Sequence, residues 1–172
     1  MEEIQRAKTQ TERNRLESLY GTRYTVLSRL PYFDCVKMTA IDPMHNLFCG
    51  TAKKMINIWK ELDFLSKENL SKIQHQVECV VCSNDVGKLP SKIEDFNFDN
   101  FTADEAKNWT LVFSIFALKD ILPTRHLEFW RSFVLACMYL CNQVILSSDI
   151  DLIDHFLLKF CRSFESFMEE IK

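Results

Sequence analysis

"IDPMHNLFCGTAKKM", residues 41–55, is where a short β-like run meets a helix. Asp42 followed by Pro43 is a strong helix start. A short acid can accept from the free amides of a first turn, and proline at the first helical position lacks only an N–H that would go unused. Met44, Leu47, Phe48, Thr51, Met55, Ile58, Trp59 and Leu62 then recur at helical spacing, which predicts a helix from about Pro43 to Leu62. Gly50 interrupts it at a cost of about 1 kcal/mol relative to Ala, so a close packing contact is expected there. Upstream, in "CVKMTAI" (35–41), Val36, Met38 and Ala40 alternate with Lys37, Thr39 and Ile41, and this is the strand candidate of the chain. One strand without partners makes no stable sheet. The expected class is therefore mainly α, with one strand over about 35–41. Two chemistries compete for Asp42: capping a helix, or binding a metal in an active site.

Further helices are predicted on both sides. Residues 2–19 read as one polar helix ended by Gly21, and "RYTVLSRLPYFD" (23–34) as a short amphipathic piece broken at Pro31. A helix over about 67–81 is followed by the irregular connector "SNDVGKLPSKIEDFNFDNF". Thr102 and Glu105 have capping-box spacing and open a helix that ends near Leu122–Pro123. The next helix is expected over 124–146. The last follows a Ser148–Asp151 cap pair, with Ile150, Ile153, Leu157, Phe160, Phe164, Phe167 and Ile171 on its core face. That helix carries no stop signal, and Glu169 and Glu170 sit where the helix dipole disfavours acids, so a piece of a larger fold is expected.

Composition narrows the function classes. The chain has 172 residues, 47% of them hydrophobic, enough for one domain with a core. With 3 Gly and 4 Pro, few tight turns can be built, which favours helices over a many-stranded fold. A net charge of -3 excludes binding of a polyanion by bulk charge; nucleic acid would need a local basic patch. The start "MEEIQRAKTQTERNR" is too polar for a secretory signal, and "FVLACMYLCNQVIL" (133–146) is too short to span a bilayer. Seven cysteines without a secretory signal point to reduced thiols and an intracellular setting. Cys79, Cys82 and His75 have partial zinc-site spacing, but a structural site needs four ligands in ordered spacing, and the end of an amphipathic helix accounts for them better. Cys137 and Cys141 lie in an apolar helix, where buried thiols are ordinary packing.

The ordered blocks carry a resemblance. "LPYFDCVKMTAIDPMHNLFCGTAKKMINIW" (30–59), "VGKLPSKIEDF", "FTADEAKNWTLVFSIFALKDILP" and "DLIDHFLLKFCRSFESF" resemble, in the same order, segments of the transposases of CACTA (En/Spm-like) DNA transposons. The similarity covers most of residues 22–168. It implies an RNase H-like core of the DDE type, interrupted by a helical insertion. Residues 22–62 would be the core segment and 63–172 the insertion, within one partial transposase-like region spanning 1–172. Such a core holds two Mg²⁺ or Mn²⁺ ions on three acids and cleaves and joins DNA at transposon ends.

By resemblance, Asp42 is the second metal-binding catalytic acid. His45, one helical turn on, lies on the same side and would orient DNA or a metal-bound water. The first acid is expected upstream of Met1 and the last Glu beyond Lys172, and the capping box explains Glu105 without catalysis. Cys49, Ala106 and Cys82 depart from the family pattern. The resemblance thus implies a nuclear transposase derivative, inactive as this chain and holding no metal tightly. The alternative is a helical protein-interaction or scaffold module, with a protein partner or a homo-oligomer and no membrane. Lys53 and Lys54 would face DNA phosphates or simply solvent. Trp59, Trp109 and Trp130 are expected in the core, and His75, His126 and His155 at helix surfaces or boundaries.

Overall fold

The computed structural model describes residues 2–34, 37–38, 42–81, 93 and 97–170. The chain divides into two compact units, Met1–Ile41 and Asp42–Lys172. The described residues are mainly helical and include no strand. Most of the expected strand at 35–41 lies outside them. Lys37 and Met38, which are described, belong to a turn: the Met38 amide donates to the Asp34 carbonyl (2.8 Å) and the Lys37 amide to Asp34 Oδ1 (3.2 Å).

In the first unit the expected single helix at 2–19 is two, α1 (Glu2–Arg6) and α2 (Gln10–Tyr20). The break has a chemical cause. Thr9 takes an extended conformation, and its hydroxyl accepts the Glu12 amide at 3.1 Å, while the Lys8 amide donates to Glu12 Oε2 at 3.2 Å. That Thr-x-x-Glu pairing starts a helix rather than letting one pass through. Gly21 ends α2 at φ 61°, in the left-handed region, as the sequence predicted. The Tyr20 hydroxyl donates to Glu3 Oε2 (2.6 Å) and ties the two helices together. A single 3₁₀ turn, Val26–Arg29, follows.

The second unit opens with α3, a π-helical stretch over Met44–Ala52 that runs on as an α-helix over Lys53–Glu61. Phe48, Ala52, Met55, Ile56 and Trp59 are fully buried, whereas Met44, Leu47 and Thr51 are only partly so. Across the wider π turn the buried positions keep helical spacing from Phe48 (i+4, i+7, i+8 and i+11), with Ala52 and Ile56 on the buried side in place of Leu47 and Thr51. Gly50 serves that turn. A Cβ placed on it would lie 2.9 Å from the His45 carbonyl oxygen, so the close approach expected at Gly50 is to its own helix and not to a neighbour. The Thr51 hydroxyl donates to the Asn46 carbonyl (3.2 Å), partnering an acceptor in the widened turn. Gly50→Ala should therefore lose about 1 kcal/mol or more of unfolding free energy in urea denaturation, despite Ala's better helix propensity. A gain in stability would mean that the turn can close to ordinary α geometry.

Helix α4 (Lys67–Glu78) begins at Ser66, whose hydroxyl accepts the Asn69 amide, and buries Leu70, Ile73 and Val77. Helix α5 begins with the Thr102–Glu105 capping box read from the sequence. It passes from Ala103–Asn108 through a second π stretch, Trp109–Phe113, into Ser114–Leu118. Helix α6 (Thr124–Leu140) stops six residues before the predicted 146. Only the first part of the apolar run 133–146 has a neighbour to pack against. Val144, Ile145 and Leu146 are exposed in the turn that reverses the chain. Helix α7 (Ser147–Glu170) then returns along α6. Its cap is Asp149 reaching back to the Leu146 amide (3.1 Å), in place of the expected Ser148–Asp151 pair.

The α6–α7 pairing is antiparallel and aromatic. Phe133 meets Phe160 (4.9 Å between centroids), Phe129 meets Phe167 (6.1 Å) and Tyr139 meets Phe156 (6.4 Å). The buried residues of α7, Ile153, Phe160 and Phe167, recur every seven positions, the spacing of a helix whose seam faces one partner. Ile150 of the predicted face is exposed, Leu157 and Phe164 are half-buried, and Ile171 lies outside the described residues. One continuous apolar core joins α3 to α7 through Trp59, Trp109, Trp130, Phe113 and Phe133.

Candidate functional site

Asp42 stands immediately before α3, and Pro43 (φ -61°) sets the first helical turn behind it. Asp42 Oδ1 accepts the amides of Met44 (2.8 Å) and His45 (3.3 Å), while its carbonyl takes the Asn46 amide (3.0 Å). Asp42 Oδ2 accepts from His45 Nδ1 at 2.5 Å. The imidazole, one turn into the helix, thus closes back on the capping carboxylate. A carboxylate oxygen only accepts, so Nδ1 is the donor in that bond. The site is open, with the Asp42 side chain 55% exposed and the His45 side chain 80%. The His45 hydrogen bond, reinforced by the His45 and Met44 amides, holds the Asp42 carboxyl below its ordinary range. Asp42 and His45 are therefore brought together, as their spacing implied.

Both oxygens of Asp42 serve the helix, and among the described residues no three His, Cys, Asp or Glu side chains gather where they could hold a metal ion. A magnesium-type cation needs near-octahedral oxygen ligation, usually from one or two carboxylates together with phosphates and water. Glu105 is engaged elsewhere: its Oε2 accepts from both the amide and the hydroxyl of Thr102, each at 2.8 Å. His75 and Cys79 are exposed at the end of α4, and Cys82 lies outside the described residues.

Lys53 and Lys54 line an open groove of about 530 Å³ with Asn57, Glu61 and Met168. The Lys54 ammonium lies 5.7 Å from the Phe164 ring centroid, over its face. The groove is mixed in charge, and Lys54 is partly committed to α7 by that cation–π contact.

His126 departs from expectation. Predicted at a surface or boundary, it is 7% exposed. Its ring packs against Phe167 (4.6 Å), Phe64 (5.1 Å) and Phe129 (5.2 Å), and its Nδ1 accepts from Trp59 Nε1 at 3.0 Å. Burial, with the neighbouring Arg125 charge second, pushes its pKa down, opposed by Glu170. A signal was present in the sequence: His126, Phe129, Trp130 and Phe133 share one helical stripe. His75 and His155 are exposed, as predicted, and the three tryptophans are fully buried.

No family model matches the chain, and no curated protein or solved structure matches it significantly. Among the described residues, no helix is long and apolar enough to cross a membrane.

Proposed function

We propose that this chain derives from a CACTA-type DDE transposase and does not cleave or join DNA by itself. The ordered sequence blocks support the ancestry, with residues 22–62, Asp42 among them, taken as the RNase H-like core segment. One observation carries the loss of catalysis: the carboxylate expected to bind metal is held at both oxygens by the first turn of its own helix. In this reading Mg²⁺ or Mn²⁺, DNA ends and a nuclear setting belong to the parent enzyme.

The test is nicking of supercoiled DNA in Mg²⁺ or Mn²⁺ by the purified chain beside Asp42→Ala. Equal, background-level nicking is expected from both. Asp42→Ala should instead lower the melting temperature, because the first amides of α3 lose their acceptor. Metal-dependent turnover that disappears in Asp42→Ala would overturn the proposal.

Exposed apolar side chains on the second unit favour an additional reading, a helical protein-interaction module. Val112 and Phe116 on α5, and Val144, Ile145 and Leu146 beyond α6, are large and solvent-facing. Where such side chains adjoin, exposed apolar surface commonly marks a binding site. This reading requires a cooperative thermal transition and a fixed near-ultraviolet dichroism signal. A molten chain with neither would sink it.

A further inference from the structure

The last turns of α7 are held chiefly by the first turns of α6. Arg125 donates to both oxygens of Glu170 (2.7 and 2.6 Å) and to the Ser166 hydroxyl (3.0 Å). Beside it, the His126 ring meets Phe167 edge to face at 4.6 Å, and Phe129 lies 6.1 Å from the same phenyl ring. From α3, the Lys54 ammonium lies over the Phe164 ring. Further back, α7 is fastened separately: Phe160 packs on Phe133 (4.9 Å) and Phe156 on Tyr139 (6.4 Å).

Among these holding groups, His126 is the one whose ordinary titration falls in mild acid. An indole N–H only donates, so the Nδ1 that accepts from Trp59 Nε1 carries no proton and the ring is neutral. Protonation would set two donors against each other, inside a cage of Trp59, Phe64, Phe129 and Phe167. The charged groups acting on the ring do not relieve this. Arg125 of its own helix opposes a second positive charge; Glu170 of α7 favours one, but both its oxygens are already taken by Arg125. From α3 the ring meets Trp59 and from the turn after it Phe64, neither charged. The phenyl faces attract a cation less than burial costs it. A charged ring must therefore reach water, and one wall of the cage has to yield. Trp59 and Phe129 belong to the continuous core around Trp109, Trp130 and Phe133, whereas the turn bearing Phe167 has the ties named above. We propose that His126 is an acid-operated latch: its protonation frees Phe164–Glu170 of α7 from α6, while the α6–α7 pairing at Phe133, Phe156 and Phe160 stays closed. In acid the first turns of α6 then present an aromatic face that is covered at neutral pH.

Amide hydrogen exchange of the full chain tests it, resolved by residue with NMR, corrected for intrinsic rates and followed from about pH 7.5 to about pH 5. An exposed histidine titrates near pH 6.5, so an opening that exposes His126 becomes at most about thirtyfold more populated by about pH 5. Protection of the amides at 164–170 should fall by up to that factor. The fall should begin near pH 6.5 and level off where the carbon-bound ring protons of His126 titrate. Protection at 153–160 should change by less than about twofold. In His126→Gln, whose amide oxygen can still accept from Trp59, the fall at 164–170 should vanish. An equal fall along the whole of α7, no fall at 164–170, or a fall kept by His126→Gln overturns the latch. If that variant does not melt cooperatively, the wild type decides alone: a fall that does not track the His126 ring protons overturns it.

Discussion

Trp130→Ala should cost about 3–5 kcal/mol of unfolding free energy, the usual penalty for removing a large aromatic from a core. Trp130 is fully buried. Its ring meets Trp59 edge to face at 5.3 Å and stacks on Phe133 at 5.1 Å. Its indole N–H donates to the Ser114 hydroxyl, which itself donates to the Thr110 carbonyl. Truncation would open a cavity between α3, α5 and α6 and leave a buried hydroxyl short of a donor. A domain of this size holds roughly 5–15 kcal/mol in all, so the variant should lose a large fraction of its stability. Trp130→Phe keeps most of the ring and loses the N–H, and should cost about 1–2 kcal/mol. Urea denaturation of both variants measures the difference. A loss below about 1 kcal/mol for Trp130→Ala would show that the core is not organised around this residue.

Acid should loosen the same core through His126. Its Nδ1 accepts the Trp59 N–H, so protonation there would set one donor against another inside an aromatic cage. The folded chain therefore holds His126 neutral, with a pKa below the ordinary 6.5. The sign follows from proton uptake. Below about pH 6.5 the unfolded chain binds a proton that the folded chain refuses. The stability contributed by neutral His126 is thus fully present above the unfolded pKa. It is lost as pH falls towards the depressed folded value. Arg125 on the same helix adds to the depression, while Glu170, paired with Arg125 at 2.6 Å, opposes it. Unfolding free energy measured from about pH 7.5 down to about pH 5 should fall more steeply for the wild type than for His126→Gln. Carboxylates that titrate in both chains cancel in that difference. Parallel curves would contradict the assignment.

Much of this architecture is legible in single residues. Thr102 and Glu105 announce a helix start, Gly21 a helix end, and Ile153, Phe160 and Phe167 the seam of α7. Asp42 and His45 are legible as a pair because residues three apart share one side of a helical turn. What escaped the sequence has definite physical causes. Ala52 and Ile56 turn inward unforeseen, because the expected stripe was centred on Met44, Leu47 and Thr51, which are only half-buried. The end of α6 at Leu140 is set by where its neighbours stop, and no Gly or Pro marks it. His126 was missed because residue type was weighed above position: it lies on the apolar stripe of α6, and Trp59, 67 positions away, supplies the hydrogen bond.

The role of Asp42 decides between an ancestral metal ligand that now caps a helix and a working active-site acid. Titration of the isotopically labelled chain with Mn²⁺, followed by paramagnetic broadening of backbone amides, addresses it directly. The cap predicts that amides at 42–46 broaden no more than those beside other exposed carboxylates, with no saturation. Saturable broadening centred on Asp42 and abolished by Asp42→Ala would contradict it.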